Sequence, residues 1–231
     1  VGPRTLKDAR ATRFVCPPDS HGIFGDERAI ACSLALTRRV KPDVVFLLGD
    51  HVDFYAISRF DKDPRRLLSL QDDLDAAERF VAAFRRAAPH AAMYYLEGNH
   101  ENRLQRWLHS KGPEFTVLKE RVHLKRKNGS RRQLLSVPYL LGLGDYGVKW
   151  VGGGSKHVGG ITFKHGNLVR SRGGATAMAE LDKEGTSGVS GHTHRIGHAA
   201  RTNRGGVYGW NEGGCLCGLE PDYMDGQVPD W

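Results

Sequence analysis

Apolar positions along this chain follow two rhythms that alternate. Continuous apolar runs at residues 43–48 and 91–96 (Val44-Val45-Phe46-Leu47-Leu48 and Ala91-Ala92-Met93-Tyr94-Tyr95-Leu96) are bounded by Pro and Gly. Runs of that length without polar alternation predict strands buried on both faces. Residues 13–16 predict a shorter first strand, ended by Pro17-Pro18. Between these runs the spacing changes to that of helices. Over residues 27–40, Ala29, Ile30, Cys32, Ser33, Leu34 and Leu36 form mostly apolar helical faces, with Arg38-Arg39 suiting the C-terminal dipole. Over residues 72–88, Leu74, Ala77, Phe80, Val81 and Phe84 recur at i, i+3 and i+4. Pro42 and Pro89 stop the two helices. Strand, helix, strand, helix, strand predicts two parallel crossovers and an α/β class.

A helix over residues 101–109 closes this half. Residues 111–146 then carry Gly, Pro and a basic cluster, and read as an insertion within one domain spanning 1–231. Between Lys119 and Arg132, positions 119, 121, 125, 126, 127, 131 and 132 are basic and only Glu120 is acidic. Asn128-Gly129 suits the turn of a hairpin there. Strands are expected at 160–164, 188–190 and 207–210, with a helix over 175–182. The Gly-rich stretches at 152–154, 159–160 and 213–214 read as turns, since none matches a phosphate-cradling or dinucleotide loop.

Composition narrows the class without choosing a function. In 231 residues, 39% hydrophobic and 26% charged content is ordinary for a globular protein with a sizeable core. No apolar run approaches the roughly 20 residues of a membrane span, and residues 1–13 are polar and basic without the apolar region of a signal peptide. A net charge of +8 favours anionic partners such as phosphoesters, nucleic acid or acidic surfaces. Four cysteines are too few for a disulfide framework. Cys215 and Cys217 read as buried thiols sharing one face of a strand, in keeping with a reducing cytoplasm.

Five short motifs carry the chemistry. They are Asp19-Ser20-His21, Gly49-Asp50-His51-Val52-Asp53, Gly98-Asn99-His100-Glu101, His165-Gly166 and Gly191-His192-Thr193-His194. Each supplies carboxylate, amide oxygen or imidazole groups at the end of a predicted strand. In open α/β sheets, ligands gather beyond the carboxyl ends of the strands. Any one motif is common by chance; all five in such positions point to one composite metal site.

That order of motifs resembles the calcineurin-like metallophosphoesterase superfamily, over about residues 19–217. The resemblance implies a four-layer α/β/β/α sandwich with two mixed central sheets and a dinuclear metal centre. By motif position, Asp19, His21 and His194 would bind one ion, Asn99, His165 and His192 the other, and Asp50 would bridge them. Two close divalent ions need a shared anionic ligand, and a water between them would be acidified near neutral pH. The resemblance makes His100 the general acid, paired with Asp53, and Arg103 a grip on phosphate of the kind seen in the protein phosphatase branch. The chain departs from that branch where Phe54-Tyr55 follows Asp53 and Pro18 precedes Asp19. Residues 136–139 and 210–217 are similar to phage and prophage members of the superfamily.

The donor set lacks thiolate and suits Mn, Fe, Zn, Co or Ni, with Mn²⁺ the first choice. The expected partner is a phosphoester, with nucleotides or nucleic acid included, and no membrane. The expected setting is the cytoplasm of a bacterial or phage-infected cell. Two other classes stay open: a nuclease using the basic insertion, and a metal-binding scaffold without catalysis. The basic segment carries no interleaved aromatics, which weighs against single-strand binding.

Overall fold

The computed structural model describes residues 12–62, 69–121 and 129–219. Strands β1 (Phe14–Val15), β2 (Val44–Leu47), β3 (Ala92–Leu96) and β4 (Val148–Val151) form a first sheet in that order. All three pairings are parallel. A second sheet contains β5 (Ser155–Val158), β6 (Ile161–Lys164), β7 (Ser187–Ser190), β8 (Ile196–Asn203) and β9 (Gly206–Gly213), in the order β5-β6-β7-β9-β8. Here β5–β6 and β8–β9 are antiparallel, while β6–β7 and β7–β9 are parallel. The second sheet is therefore mixed, as expected. The first is not, because helices α1 (Glu27–Val40) and α2 (Leu70–Ala87) carry the chain back between β1, β2 and β3, and such crossovers return each strand in the same direction.

The apolar runs owe their continuity to burial on two sides. In β2 and β3, Val45, Leu47, Met93 and Tyr95 point to one face, where they pack with Leu74, Phe80 and Phe84 of α2 and Leu104 and Leu108 of α3 (Glu101–Lys111). Phe46 and Leu96, with Leu48 beyond β2, point to the other face and meet Phe163 of β6. Phe46 and Phe163 stack with ring centroids 3.8 Å apart. The far side of the second sheet is covered by α5 (Ala175–Glu184), whose Ala177 and Leu181 pack on Ala199 and the fully buried Trp210. Two sheets thus pack face to face, with helices on both outer sides, as an α/β sandwich.

Helix ends follow local chemistry. Asp26 caps α1 by accepting the Ala29 N–H at 2.8 Å. The second helix starts at Leu70, two residues before the expected start, because Ser69 and Asp72 cap each other's backbone N–H groups. The three strands absent from the sequence reading (β4, β5 and β8) all lie at sheet edges. An edge strand needs less apolar surface, and β8 keeps only Ala199 buried among its eight residues.

Among the described residues the insertion contributes two arms that meet antiparallel, while the expected hairpin's tip falls outside them. A short 3₁₀ turn (Pro113–Val117) precedes them and a one-turn helix, α4 (Val137–Leu140), follows. Lys119 bridges antiparallel to Gln133, and Leu134 donates to the Leu118 carbonyl at 2.9 Å. Asn128 and basic positions 125, 126 and 127 lie outside the described residues. Arg132 turns inward, onto the buried Glu120 carboxylate at 2.9 Å. Cys215 and Cys217 lie past the end of β9 rather than on a strand; a bridge from Cys217 to Gly25 holds that segment, and only Cys217 is buried. Among the described residues no helix is long and apolar enough to cross a membrane.

Candidate metal centre

The five motifs come together where the two sheets meet. Asp19 follows β1, Asp50 follows β2, Asn99 follows β3, His165 follows β6 and His192 follows β7, each at a C-terminal strand end. Asp19, His21, Asp50, Asp53 and His165 are all buried. Isolated charges in such a place would cost several kcal/mol each, so their collection asks for compensation.

Three of the imidazoles share one orientation. His21 commits its Nδ1 to Asp53 Oδ2 at 3.0 Å, and His165 commits its Nδ1 to the Leu48 carbonyl at 3.0 Å. Nδ1 of His194 faces the Cys217 sulfur at 3.9 Å. Their Nε2 atoms are thereby turned toward the centre. His21 Nε2 stands 2.9 Å from His194 Nε2, and Asp19 Oδ2 stands 3.4 Å from the latter. In the second set His165 Nε2 is 3.0 Å from Asn99 Oδ1 and 3.3 Å from Asp50 Oδ2. His192 completes a cluster with Asp50 and His165 whose potential ligand atoms lie within 4.8 Å of one another. Asp50 also belongs to a cluster with His21 and His100, so it stands between the two sets.

Two ring nitrogens facing each other at 2.9 Å, with their other nitrogens occupied, need a proton or a cation between them. The charges say the same. Burial favours neutral His165, yet the Asp50 and Asp19 carboxylates outweigh it and push the imidazole up to about 10. Burial opposes the charge of Asp50 too, but His165 and His100 hold it well below the usual carboxylate range. Such a cluster draws positive charge inward and could hold metal.

The backbone is bent to build it. His21, Asp50, His192 and His194 all adopt left-handed conformations, with φ of 51°, 51°, 74° and 59°. Non-glycine residues pay about 1–3 kcal/mol each there. Asp19 helps hold the last turn by accepting the His192 N–H on both oxygens, at 3.1 and 3.0 Å. Gly98 and Gly191 are needed for close approach: a Cβ at either would strike the carboxylate of Asp50 or Asp19.

Glu101, quoted in the third motif but given no role by the sequence, organises the Asp50 turn. Its carboxylate accepts the N–H groups of Asp50 (2.9 Å), His51 (3.0 Å) and Gly98 (2.9 Å), and the Tyr95 hydroxyl (2.6 Å). Glu101→Ala would leave these buried donors unpaired. We expect about 3 kcal/mol or more of lost stability, read as a lower urea midpoint, together with weaker metal binding in a calorimetric titration. Glu212 plays a comparable part behind the last motif, accepting the Thr193 hydroxyl at 2.9 Å and the Gly174 N–H at 2.7 Å. Neither role has a signature in sequence, because the donors are scattered along the chain, from Gly98 beside Glu101 to Asp50 and His51 about fifty residues before it. Cys217 was also missed; its place beside His194 and His21 arises from the Gly25 bridge, which no spacing rule foretells.

His100 sits beside the ligand sets. Its Nδ1 is 3.1 Å from Asp53 Oδ2, and its Nε2 is 3.7 Å from Asp50 Oδ2. Burial disfavours its charged form, but Asp50 and Asp53 prevail and raise it above the ordinary histidine value. Arg103 pulls the other way. Its Nη2 lies 2.9 Å from His100 Nε2, where it can only donate, and its Nη1 reaches Asp53 O at 2.9 Å. With Arg103 so placed, His100 carries its proton on Nδ1. His51 lies under the site; its Nδ1 pairs with Ser20 Oγ at 3.0 Å and burial drives it down to about 3, so it is a neutral packing residue stacked on Phe80.

No protein-family model matches the chain. It is similar to the Gene 54 protein of Mycobacterium phage D29, at 25% identity over 209 residues, which cover 87% of this chain and 74% of that protein.

Proposed function

We propose that this protein is a dinuclear metal-dependent phosphoesterase with the four-layer metallophosphoesterase fold, acting in the cytoplasm of a phage-infected bacterial cell. The observation that carries the reading is the convergence of two imidazole sets on either side of the Asp50 carboxylate, with His100 and Asp53 alongside. Asp19, His21 and His194 would hold one ion and Asn99, His165 and His192 the other, with Asp50 shared. Mn²⁺ suits this oxygen and nitrogen set best, and Zn, Fe, Co or Ni also fit. Two bound ions supply an acidified water and neutralise charge on the phosphoryl group.

The chain's own residues do the rest. Arg103 is the group that can turn onto a phosphoryl oxygen, in a geometry guanidinium suits. In doing so it would leave His100 Nε2, and the Asp50 and Asp53 carboxylates would favour a proton there. Asp53 fixes the ring through Nδ1. Nε2 can then give its proton to the departing alkoxide.

Purified apo-protein should gain hydrolysis of bis-p-nitrophenyl phosphate on addition of Mn²⁺ and lose it on chelation. The panel extends to p-nitrophenyl phosphate, nucleotides, single- and double-stranded DNA and a phosphopeptide under Mn, Zn, Ni, Co and Fe. Absence of turnover across the whole panel would exclude the enzyme.

A further inference from the structure

Next to Asn99 and His165 a cavity of about 530 Å³ opens between α3, the Gly153–Gly154 turn and the C-terminal end of α5. That volume lies within the range of pockets that hold small molecules. His100 is not part of its wall. If His100 protonates the departing oxygen, this cavity lies where the ester group that stays on phosphorus would go. The inference therefore rests on the phosphoesterase reading.

Its lining is made for hydroxyl groups. Asn102, Ser155 and Asn167 supply amide and hydroxyl groups that both donate and accept. The acids of the wall are already engaged: Glu97 accepts the Gly153 N–H at 2.8 Å, and Glu184 pairs with Lys164 at 2.8 Å. Lys164 is itself shared with the buried Glu180 at 2.8 Å. Arg106 and Lys183 stand at the wall as further cations. Among the described residues no Phe, Tyr or Trp lines the space, so a nucleobase would find no ring to stack on. Apolar side chains are absent among these lining residues too, which disfavours an aliphatic or aryl group.

We propose that this cavity is a subsite for a hydroxyl-rich ester group, such as a ribose or a glycerol, and that the substrate is a phosphodiester retaining that group. The shared chemistry is a set of neighbouring hydroxyls attached to an anionic phosphate. The experiment compares three diesters with one leaving group, uridine 5′-(p-nitrophenyl phosphate), glycerol p-nitrophenyl phosphate and methyl p-nitrophenyl phosphate, each read after subtraction of the rate with Mn²⁺ alone. The double variant Asn167→Ala/Lys183→Met changes two exposed side chains.

In the Mn²⁺-loaded protein, kcat/KM for the ribosyl or glyceryl ester should exceed that for the methyl ester by about tenfold or more, and the variant should bring the ratio close to 1. The arm that shows the preference identifies the source of the hydroxyls. Equal kcat/KM for all three esters, or a preference that survives in the variant, overturns the subsite while leaving the phosphoesterase reading in place. If no ester is turned over and the wider panel is silent too, that reading fails instead. The subsite is then decided by calorimetric binding of ribose 5-phosphate and glycerol 3-phosphate. Weakening of at least fivefold in the variant sustains it, and equal or undetectable binding in both proteins overturns it.

Discussion

Replacing Asp50 with Asn should remove almost all of the proposed phosphoesterase turnover, by about 10³-fold or more, and reduce bound metal from the proposed two ions to at most one per chain. The substitution keeps an oxygen that can accept the His100 N–H, now made at 2.9 Å, so the α3 N-terminus should hold. What is lost is the negative charge between the two imidazole sets. Two divalent ions in proximity repel each other, and a neutral amide cannot offset that as a carboxylate does. A loss of 10³ corresponds to about 4 kcal/mol of transition-state stabilisation, in keeping with several kcal/mol for a metal's action on a phosphoryl group. Stability gives an independent reading. A ligand present at about 100 times its Kd stabilises the folded state by about 2.7 kcal/mol. Wild-type Tm should therefore rise on adding Mn²⁺, and the variant should rise far less. Two ions retained per chain, with turnover within fivefold of wild type, would refute the bridging role.

How much of this could be read from sequence depends on where each structural cause lies. Strands β2 and β3 were legible because burial between helices and a second sheet leaves an uninterrupted apolar run. The edge strands β4, β5 and β8 were not, because the surface they bury is small and mixed. All seven proposed ligands were legible as short motifs, and the fold brings them to one place. Their division around Asp50 is implied by the resemblance alone and belongs to the proposal. The supports were illegible. Glu101 acts on N–H groups at residues 50 and 51, about fifty positions away, and Glu212 on the Thr193 hydroxyl and the start of α5. Such roles leave no periodicity or spacing behind. Cys217 shows the opposite error. An i, i+2 pair suggested a strand, but β9 ends before it and a bridge to Gly25 directs the thiol to His194.

His100→Ala should lower turnover by about 10²–10⁴-fold, the usual range for loss of a general acid, while both ions stay bound. His100 lies outside the two proposed ligand sets, and its Nε2 is 3.7 Å from Asp50, so metal content should be unchanged. The size of the loss should depend on the leaving group. A p-nitrophenolate departs without much help from a proton, whereas an alkoxide needs one; the deficit should be smallest for bis-p-nitrophenyl phosphate and grow toward alkyl esters. A purely structural role would lower all substrates alike. The same logic separates Asp53 from His100. Asp53→Ala would release Nδ1 of both His21 and His100, which now meet its carboxylate at 3.0 and 3.1 Å. It should therefore weaken metal binding as well as turnover, where His100→Ala weakens turnover alone. An unchanged rate for alkyl esters in His100→Ala would remove this residue from proton transfer and leave Asp53 as a support for His21.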